Sequence, residues 1–227
     1  MQYMDYNWQP LLLSLKLSLI TTLLLFVIGV PIAYFLSKSK SNLKPLWESL
    51  ISLPLVLPPS VLGFYLLLAF SPNSFLGKFL KEHFDLSLVF SFEGLVIASV
   101  IYSLPFMVHP VQSGFQSLPD SLKEAAYTLG ISPFNTFIRV LLPNIRPSLL
   151  SGIVLSFAHT IGEFGVVLMI GGSIPGVTRV ASIAIYEEVD SMQYDAADFY
   201  AKVLILASFI ILFLLFLVNK KYKGKII

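Results

Sequence analysis

The stretch that decides the fold runs from Leu118 to Pro147 and reads L-P-D-S-L-K-E-A-A-Y-T-L-G-I-S-P-F-N-T-F-I-R-V-L-L-P-N-I-R-P. It separates two long hydrophobic runs, yet it has the pattern of two short helices in tandem. In the first helix, Ser121 is the expected N-cap and Glu124 completes a capping box. Its apolar face, at the i, i+3, i+4, i+7 spacing, consists of Leu122, Ala125, Ala126 and Leu129.

The second helix of the tandem is expected to begin at Ser132 and Pro133 and to end at Pro143. Gly130, between the two helices, stands where a left-handed residue is needed to end the first one. The face of the second helix is bulky and aromatic, which suits a bilayer surface. The face of the first helix is built on alanine, which lets another protein approach its backbone closely. The first helix is therefore interpreted as a docking surface, with a second bilayer-surface helix as the alternative.

The composition is that of a polytopic membrane protein. Of the 227 residues 56% are hydrophobic and only 12% are charged, and the mean hydropathy is +0.82. There is no cysteine, so thiol chemistry and disulfides are excluded, and the net charge of +2 does not favour nucleic-acid binding. No P-loop motif, zinc-site spacing or nucleophile elbow occurs, so we expect no metal, no cofactor and no catalysis by this chain.

An all-α fold with five transmembrane helices in a single domain over residues 1–227 is expected. The predicted spans are 11–36, 50–70, 94–111, 148–170 and 196–218, and the two-helix loop occupies 116–146. Lys and Arg are concentrated on one side of these spans, which indicates that this side is cytoplasmic. The basic residues on that side are Lys38, Lys40, Lys44, Lys123, Arg139, Arg146, Lys220, Lys221, Lys223 and Lys225. The other side carries Lys78, Lys81 and Arg179. The N-terminus is then outside, and the C-terminus and the two-helix loop are cytoplasmic.

Three residues within the spans are candidates for a translocation path. Pro58 and Pro59 break the second span and leave backbone groups that must be satisfied in protein or in a watery cavity. A packing kink is the alternative interpretation. Glu163 is an acid inside the fourth span. An ionisable residue at this depth is a functional candidate by default, and the alternative is a structural carboxyl that is hydrogen-bonded between helices. His159, four residues earlier, is its expected partner on the same helix.

The two-helix loop resembles the EAA loop of the permease subunits of binding-protein-dependent ABC importers, which have a MetI-like type I fold. The matching residues are Glu124, Ala125, Ala126, Gly130, Leu142 and Pro143, and only Val140 departs from the isoleucine of the family pattern. The resemblance implies that these six residues couple the permease to an ATPase. The matching residues are not the basic residues that indicate the orientation, and both sets assign the loop to the cytoplasm.

Four further segments, at 53–67, 103–108, 161–176 and 184–186, resemble the molybdate/tungstate permeases of that family. Sulfate and thiosulfate permeases share the loop and the G-E-F-G-like element but are usually longer. The resemblance implies a multi-pass permease in the cell (inner) membrane of a prokaryote, which imports an oxyanion by alternating access at a homodimer interface. It further implies separate ABC ATPase subunits and a periplasmic or lipid-anchored binding protein as partners.

Two other classes of protein remain open from the residues. A proton-coupled secondary transporter would use Glu163 and the histidines, but it would not need tandem cytoplasmic helices and would be expected to show an inverted repeat. A membrane scaffold without transport activity would not need spans that are broken by proline. Co-purification with an ATPase separates the three classes.

Overall fold

The computed structural model describes residues 7–223, and the regular structure among them is entirely helical. Three helices are long and apolar enough to cross a membrane: α1 (Gln9–Lys38), α5 (Phe92–Gln116) and α12 (Tyr194–Lys223) over its part Tyr194–Leu214. The other helices are α2 (Lys44–Val56), α3 (Pro59–Phe70), α4 (Phe75–Phe84), α6 (Asp120–Thr128), α7 (Pro133–Thr136), α8 (Leu142–Asn144), α9 (Arg146–Ile161), α10 (Gly165–Gly171) and α11 (Ala181–Asp190).

Two bent helix pairs raise the number of candidate spans from three to five if each pair is counted as one span. The pair α2 and α3 bends by 112°, and the helical segment Pro133–Asn144 bends by 79° against α9. The first bend lies at Leu57 and Pro58, because neither Pro58 nor Pro59 has an N–H to continue the hydrogen bonds of α2. The segment predicted to span at 50–70 is therefore two helices with a sharp break.

The predicted span at 148–170 is not one continuous helix either. Helix α9 ends at Ile161, and α10 begins only at Gly165. Glu163 lies in the short break between them. The sequence pattern missed this break because the hydrophobicity continues through it and Gly162 is tolerated within membrane helices. The segments between the second and third and between the fourth and fifth predicted spans also contain helices, namely α4 and α11.

The core is formed by α1, α5 and α9, which pack against one another along their lengths. The fully buried side chains at its centre include Leu25, Met107 and Phe115. Helices α5 and α9 approach closely, since a Cβ added at Gly114 would lie 2.6 Å from the Cβ of Ser148. The face of α9 that carries Ser148 and Gly152 therefore lies close against α5.

Contacts between the ends of the helices show which segments share one end of the bundle. Lys38 Nζ, at the end of α1, lies 3.0 Å from Asp120 Oδ1, at the start of α6. At the opposite end of α1, the Tyr200 hydroxyl of α12 donates to the Asn7 carbonyl, and the Ala181 N–H of α11 donates to Ser14 Oγ. The 37–49 loop and the two-helix segment therefore lie at one end, and the starts of α1, α11 and α12 lie at the other.

Candidate functional sites at the two-helix segment and the helix breaks

The first helix of the two-helix segment, α6, begins one residue before the predicted N-cap. It follows Pro119, and no side chain caps it, so the predicted capping box of Ser121 and Glu124 is wrong. Asp120 instead occupies the first turn, where a carboxylate is favourable, and pairs with Lys38. Hydrogen bonding and charge from the Lys38 ammonium lower the pKa of the Asp120 carboxyl. The pair is exposed, so it marks a contact between α1 and α6 and adds little stability.

The end of α6 has the predicted left-handed geometry at Gly130. Its φ is +72°, its N–H bonds to the Tyr127 carbonyl at 2.9 Å, and the Ile131 N–H bonds to the Ala126 carbonyl at 3.0 Å. These two bonds form a Schellman motif. A side chain at position 130 would meet nothing within 4 Å, so backbone conformation and not space calls for glycine there.

The second helix begins as predicted but does not end at Pro143. The Ser132 hydroxyl accepts from the Asn135 N–H, and Pro133 occupies the first turn. The helix then passes through a π-helical turn over Phe137–Leu141, in which the Leu142 N–H bonds to the Phe137 carbonyl five residues earlier. Because Pro143 cannot donate to the carbonyl of Arg139, the wider turn near it accommodates the missing bond. The second helix then continues as α8 and ends at Asn144.

The outer surface of the two-helix segment is apolar and exposed. We name this surface the docking patch; it consists of Tyr127, Leu129, Phe134 and Ile138, which are 42%, 78%, 73% and 42% exposed. Glu124 and Ala125 are exposed beside it, whereas Ala126 is buried where α6 lies against α7 and the π turn. Leu142 and Pro143 are half-buried at the base. Of the two alanines expected to face a partner, only Ala125 is free to do so.

An aromatic cluster anchors the segment to the bundle. The Phe137 ring lies edge-on to Tyr34 of α1, with centroids 4.9 Å apart, and is stacked at 5.9 Å on Phe115 of α5. Tyr34 and Phe115 also meet each other edge-on at 5.1 Å. The π turn therefore has one side chain packed between two long helices, while its neighbours Phe134 and Ile138 point away from the bundle.

A cavity of about 630 Å³ lies where the two helix breaks meet. Pro59 and Ser60 line it from the first break, and the segment Gly162–Gly165 lines it from the second. The breaks touch, since a Cβ added at Gly165 would lie 2.7 Å from the Cβ of Pro59. Tyr102 of α5 and His159 of α9 complete the polar lining. The proline pair and Glu163, which the sequence singled out separately, are brought together here, with Pro58 directly preceding Pro59.

Glu163 is 4% exposed, and neither carboxylate oxygen has a hydrogen-bond partner among the described residues. Ser99 of α5 is its polar neighbour, but the hydroxyl and the carboxylate are not in hydrogen-bonding geometry. The backbone of Glu163 is held instead, because its carbonyl accepts from the Ser182 hydroxyl of α11 at 2.5 Å. The interhelical hydrogen bond expected for this carboxyl is not made by the described part of the chain.

His159 is not the partner of Glu163, contrary to the prediction. Its Nδ1 lies 2.9 Å from the Ser103 hydroxyl of α5, and its ring stacks on Phe106 with centroids 4.0 Å apart. The i, i+4 argument fails because α9 ends at Ile161, so the two residues do not share a helix. Ser103, Tyr102 and Ser60 had no distinguishing local pattern in the sequence, and only the packing of α5 and α3 shows their role.

A second set of polar contacts, between α2 and α5, lies away from this cavity. His109 Nε2 is 3.0 Å from the Ser52 hydroxyl. The Gln112 amide donates to Glu48 Oε1 at 2.6 Å. These contacts hold the first half of the broken pair against the core.

Comparisons with known proteins agree with the geometry. A family model described as "Binding-protein-dependent transport system inner membrane component" matches residues 25–223. The molybdenum transport system permease protein ModB of Azotobacter vinelandii is 45% identical over 213 residues, which cover 93% of this chain and 94% of that protein. The sulfate transport system permease protein CysT of Salmonella typhimurium is 34% identical over 201 residues, covering 88% and 72%.

Among solved structures, one of the MetNI methionine ABC transporter in inward-facing conformations matches with a TM-score of 0.74. The match covers 97% of this chain and 99% of that chain at 16% identity, so it shows the fold. The chain belongs to the family of binding-protein-dependent transport system inner membrane components. It is a multi-pass component of an inner membrane, and its role is transport and not catalysis.

Proposed function

We propose that the chain is the membrane-spanning subunit of an ATP-driven importer for a tetrahedral oxyanion, with molybdate or tungstate as the first choice. The relative described as a molybdenum transport system permease protein matches nearly the full length of both chains, which supports this substrate class. Sulfate or thiosulfate is the alternative, because a sulfate transport system permease protein is also similar. Molybdate, tungstate and sulfate are all tetrahedral dianions, so a site for one presents chemistry that suits the others.

The observation that carries the proposal is the docking patch. Its side chains are large and apolar, and they lie at one end of the bundle, whereas Phe137 fastens the same segment to α1 and α5. A patch of this kind is typical of a surface that a protein partner covers. We assign the ATPase as that partner, since the chain has no P-loop of its own. Coupling is then carried by Glu124, Ala125, Ala126, Gly130, Leu142 and Pro143.

The proposed topology has five spans in a single domain, with the N-terminus outside and the C-terminus in the cytoplasm. The Lys38–Asp120 contact supports the grouping of the 37–49 loop with the two-helix segment at one end. The excess of Lys and Arg at that end supports its cytoplasmic location. Lys225 and residues 1–6, on which part of this argument rests, lie outside the residues that the structure describes.

The proposed assembly is a homodimer of this chain with two ATPase subunits on the cytoplasmic side and a binding protein on the outer side. A two-fold axis between permeases provides a path that one chain with little polar lining does not provide alone. ATP binding draws the two docked segments together, and the helices move between inward-open and outward-open states. Pro58, Pro59 and Glu163 are the candidate residues of the path or its gate, because they meet at the cavity between the two helix breaks.

The test is uptake by the reconstituted complex of permease, ATPase and binding protein in proteoliposomes. We expect ATP-dependent accumulation of radiolabelled molybdate when the binding protein is present. Competition with unlabelled tungstate and sulfate separates the two substrate assignments. Failure of the permease to co-purify with an ATPase, or accumulation driven by a proton gradient without ATP, would contradict the proposal and favour a secondary transporter.

A further inference from the structure

The cavity between the helix breaks has the character of a polar site within the membrane. Irregular backbone at membrane depth is stable only where protein surrounds it or where it lines a hydrated cavity. Two breaks from different parts of the chain meet here, at Pro59 and Gly165. The hydroxyl-bearing residues Ser60 and Tyr102 line the cavity together with the imidazole of His159. Two helix breaks that served only the packing of helices would not require hydroxyl and imidazole groups around them.

A chain of hydroxyl groups determines the tautomer of His159. The Thr160 hydroxyl lies 2.9 Å from the Ser156 carbonyl, which can only accept, so Thr160 uses its proton there. The Ser103 hydroxyl, 3.0 Å from Thr160 Oγ1, must then donate to Thr160. Ser103 Oγ is left as an acceptor toward His159 Nδ1 at 2.9 Å. All three bonds form together only if His159 carries a proton on Nδ1.

The Nε2 edge of the imidazole is the one that Ser103 does not use. His159 lines the cavity, whereas Ser103 and Thr160, which lie on its Nδ1 side, are buried in the contact between α5 and α9. The ring plane is held by Phe106, stacked at 4.0 Å, and by Tyr102 at 4.7 Å. With Nδ1 bonded to Ser103, Nε2 is the nitrogen available to a molecule in the cavity.

The charge state of His159 then decides what the cavity accepts. In the neutral ring Nε2 presents a lone pair, which repels the oxygens of an anion. One proton on Nε2 converts it into a positively charged donor, which attracts them. The Nδ1–H bond to Ser103 is the same in both states, so the ring can gain or lose this proton without disturbing the helix contact.

We propose that this cavity is a transit site for a tetrahedral oxyanion, which His159 binds through Nε2–H as an imidazolium with the Ser60 and Tyr102 hydroxyls as further donors. The proposal rests on the function assigned above and specifies where in the permease the anion pauses. Nε2 takes up one hydrated proton from the solvent as the anion enters and returns one hydrated proton to the solvent as the anion leaves. No covalent bond of the substrate changes.

The titratable groups that face His159 are compatible with this role. Tyr102 faces it from α5, and its hydroxyl can donate to an anion. Glu163, from the break between α9 and α10, also lines the cavity, but both of its carboxylate oxygens are buried and would not touch the anion. An ionised carboxylate with no partner is costly in such a position, so Glu163 is neutral in the anion-loaded state. Phe106, the other ring against His159, carries no charge.

The decisive experiment uses two substitutions that replace one imidazole nitrogen each. The amide of His159→Asn reaches the position of Nδ1 and keeps the bond to Ser103, and the amide of His159→Gln reaches the position of Nε2. Molybdate uptake per ATP hydrolysed is measured in the full reconstituted complex at several pH values between 5 and 8. His109→Gln is the matched control, because His109 bonds to Ser52 through Nε2, the position that the glutamine amide reaches, and lies outside the cavity.

The wild-type ratio of uptake to hydrolysis should fall as the pH rises, because the imidazolium is lost. His159→Asn should lower the ratio roughly tenfold at the acidic end, which corresponds to one charge-assisted hydrogen bond. His159→Gln should give an intermediate ratio with little dependence on pH, since a neutral donor remains. His109→Gln should retain the wild-type profile.

A ratio and pH profile for His159→Asn that equal those of the wild type would overturn the transit site, because the histidine would then serve only the contact with Ser103. If the wild-type complex itself fails to accumulate any oxyanion, it is the assigned function that fails. If a variant does not assemble, nitrogen-15 solid-state NMR of the labelled wild-type permease in the complex tests the same proposal. The Nδ1–H tautomer and a response of His159 to sodium molybdate, but not to sodium chloride, are expected, and the Nε2–H tautomer would contradict the proposal.

Discussion

At the scale of single residues, Gly130 provides the sharpest test of coupling. Its φ of +72° lies in the left-handed region, where a β-branched residue is strained by about 1–2 kcal/mol. We expect Gly130→Val to lower uptake per ATP hydrolysed while the permease still assembles in the membrane. Gly130→Asn is the matched control, because asparagine tolerates this conformation and there is room for its side chain. Unchanged uptake in the valine variant would contradict a coupling role.

Glu163 tests whether the path depends on a charge. The carboxyl is buried without a partner among the described residues, so a neutral side chain of the same shape should replace it. Glu163→Gln is expected to keep uptake within about a factor of two of the wild type. Glu163→Ala should reduce it further, because truncation leaves a void beside the two helix breaks. If the glutamine variant assembles correctly but does not transport, the ionised form is essential and proton coupling becomes the better explanation.

At the scale of elements, two phenylalanines of the same short helix separate anchoring from docking. Phe137 packs between Tyr34 and Phe115, whereas Phe134 is 73% exposed. Phe137→Ala should lower the stability of the purified permease by roughly 2 kcal/mol, somewhat less than truncation of a fully buried ring. Phe134→Ala should leave that stability unchanged and weaken co-purification with the ATPase.

Thermal unfolding of the permease alone and pull-down of the ATPase measure these two effects separately. The assignment of the two faces would be reversed if Phe134→Ala destabilised the permease and Phe137→Ala did not. Phe134 lies before the π turn and Phe137 is its first residue. Phe137 packs on the bundle, whereas Phe134 remains on the docking patch.

At the scale of the whole molecule, the orientation in the membrane can be tested directly. The natural chain has no cysteine, so a single introduced thiol gives no background. A cysteine at Asn42 should react with an impermeant maleimide only from the cytoplasmic side, and one at Asn73 only from the outside. Both positions are exposed in loops, so labelling reports on the side and not on burial. The reversed pattern would move the docking patch to the outer face and remove the basis for an ATPase partner.

The local signals in the sequence were sufficient for the membrane class, the two-helix segment and its turn at Gly130. Hydrophobicity marks spans because every backbone group in lipid must be bonded within its own helix. Gly130 and Ser132 were predicted correctly because their geometry depends on residues within one turn. The predicted capping box at Ser121 is wrong for an equally local reason, since Pro119 takes the N-cap position two residues earlier and the helix begins at Asp120.

What only the tertiary structure decided is the site within the membrane. By itself the sequence identified Pro58, Pro59 and Glu163 as unusual, but it assigned them to two separate spans and paired Glu163 with His159. The break at Gly162–Phe164 separates that pair, and the packing of α5 then brings Ser103 and Tyr102 to His159. Side chains that meet across helices are placed by the fit of distant surfaces and not by spacing along one helix, so no local pattern could reveal them.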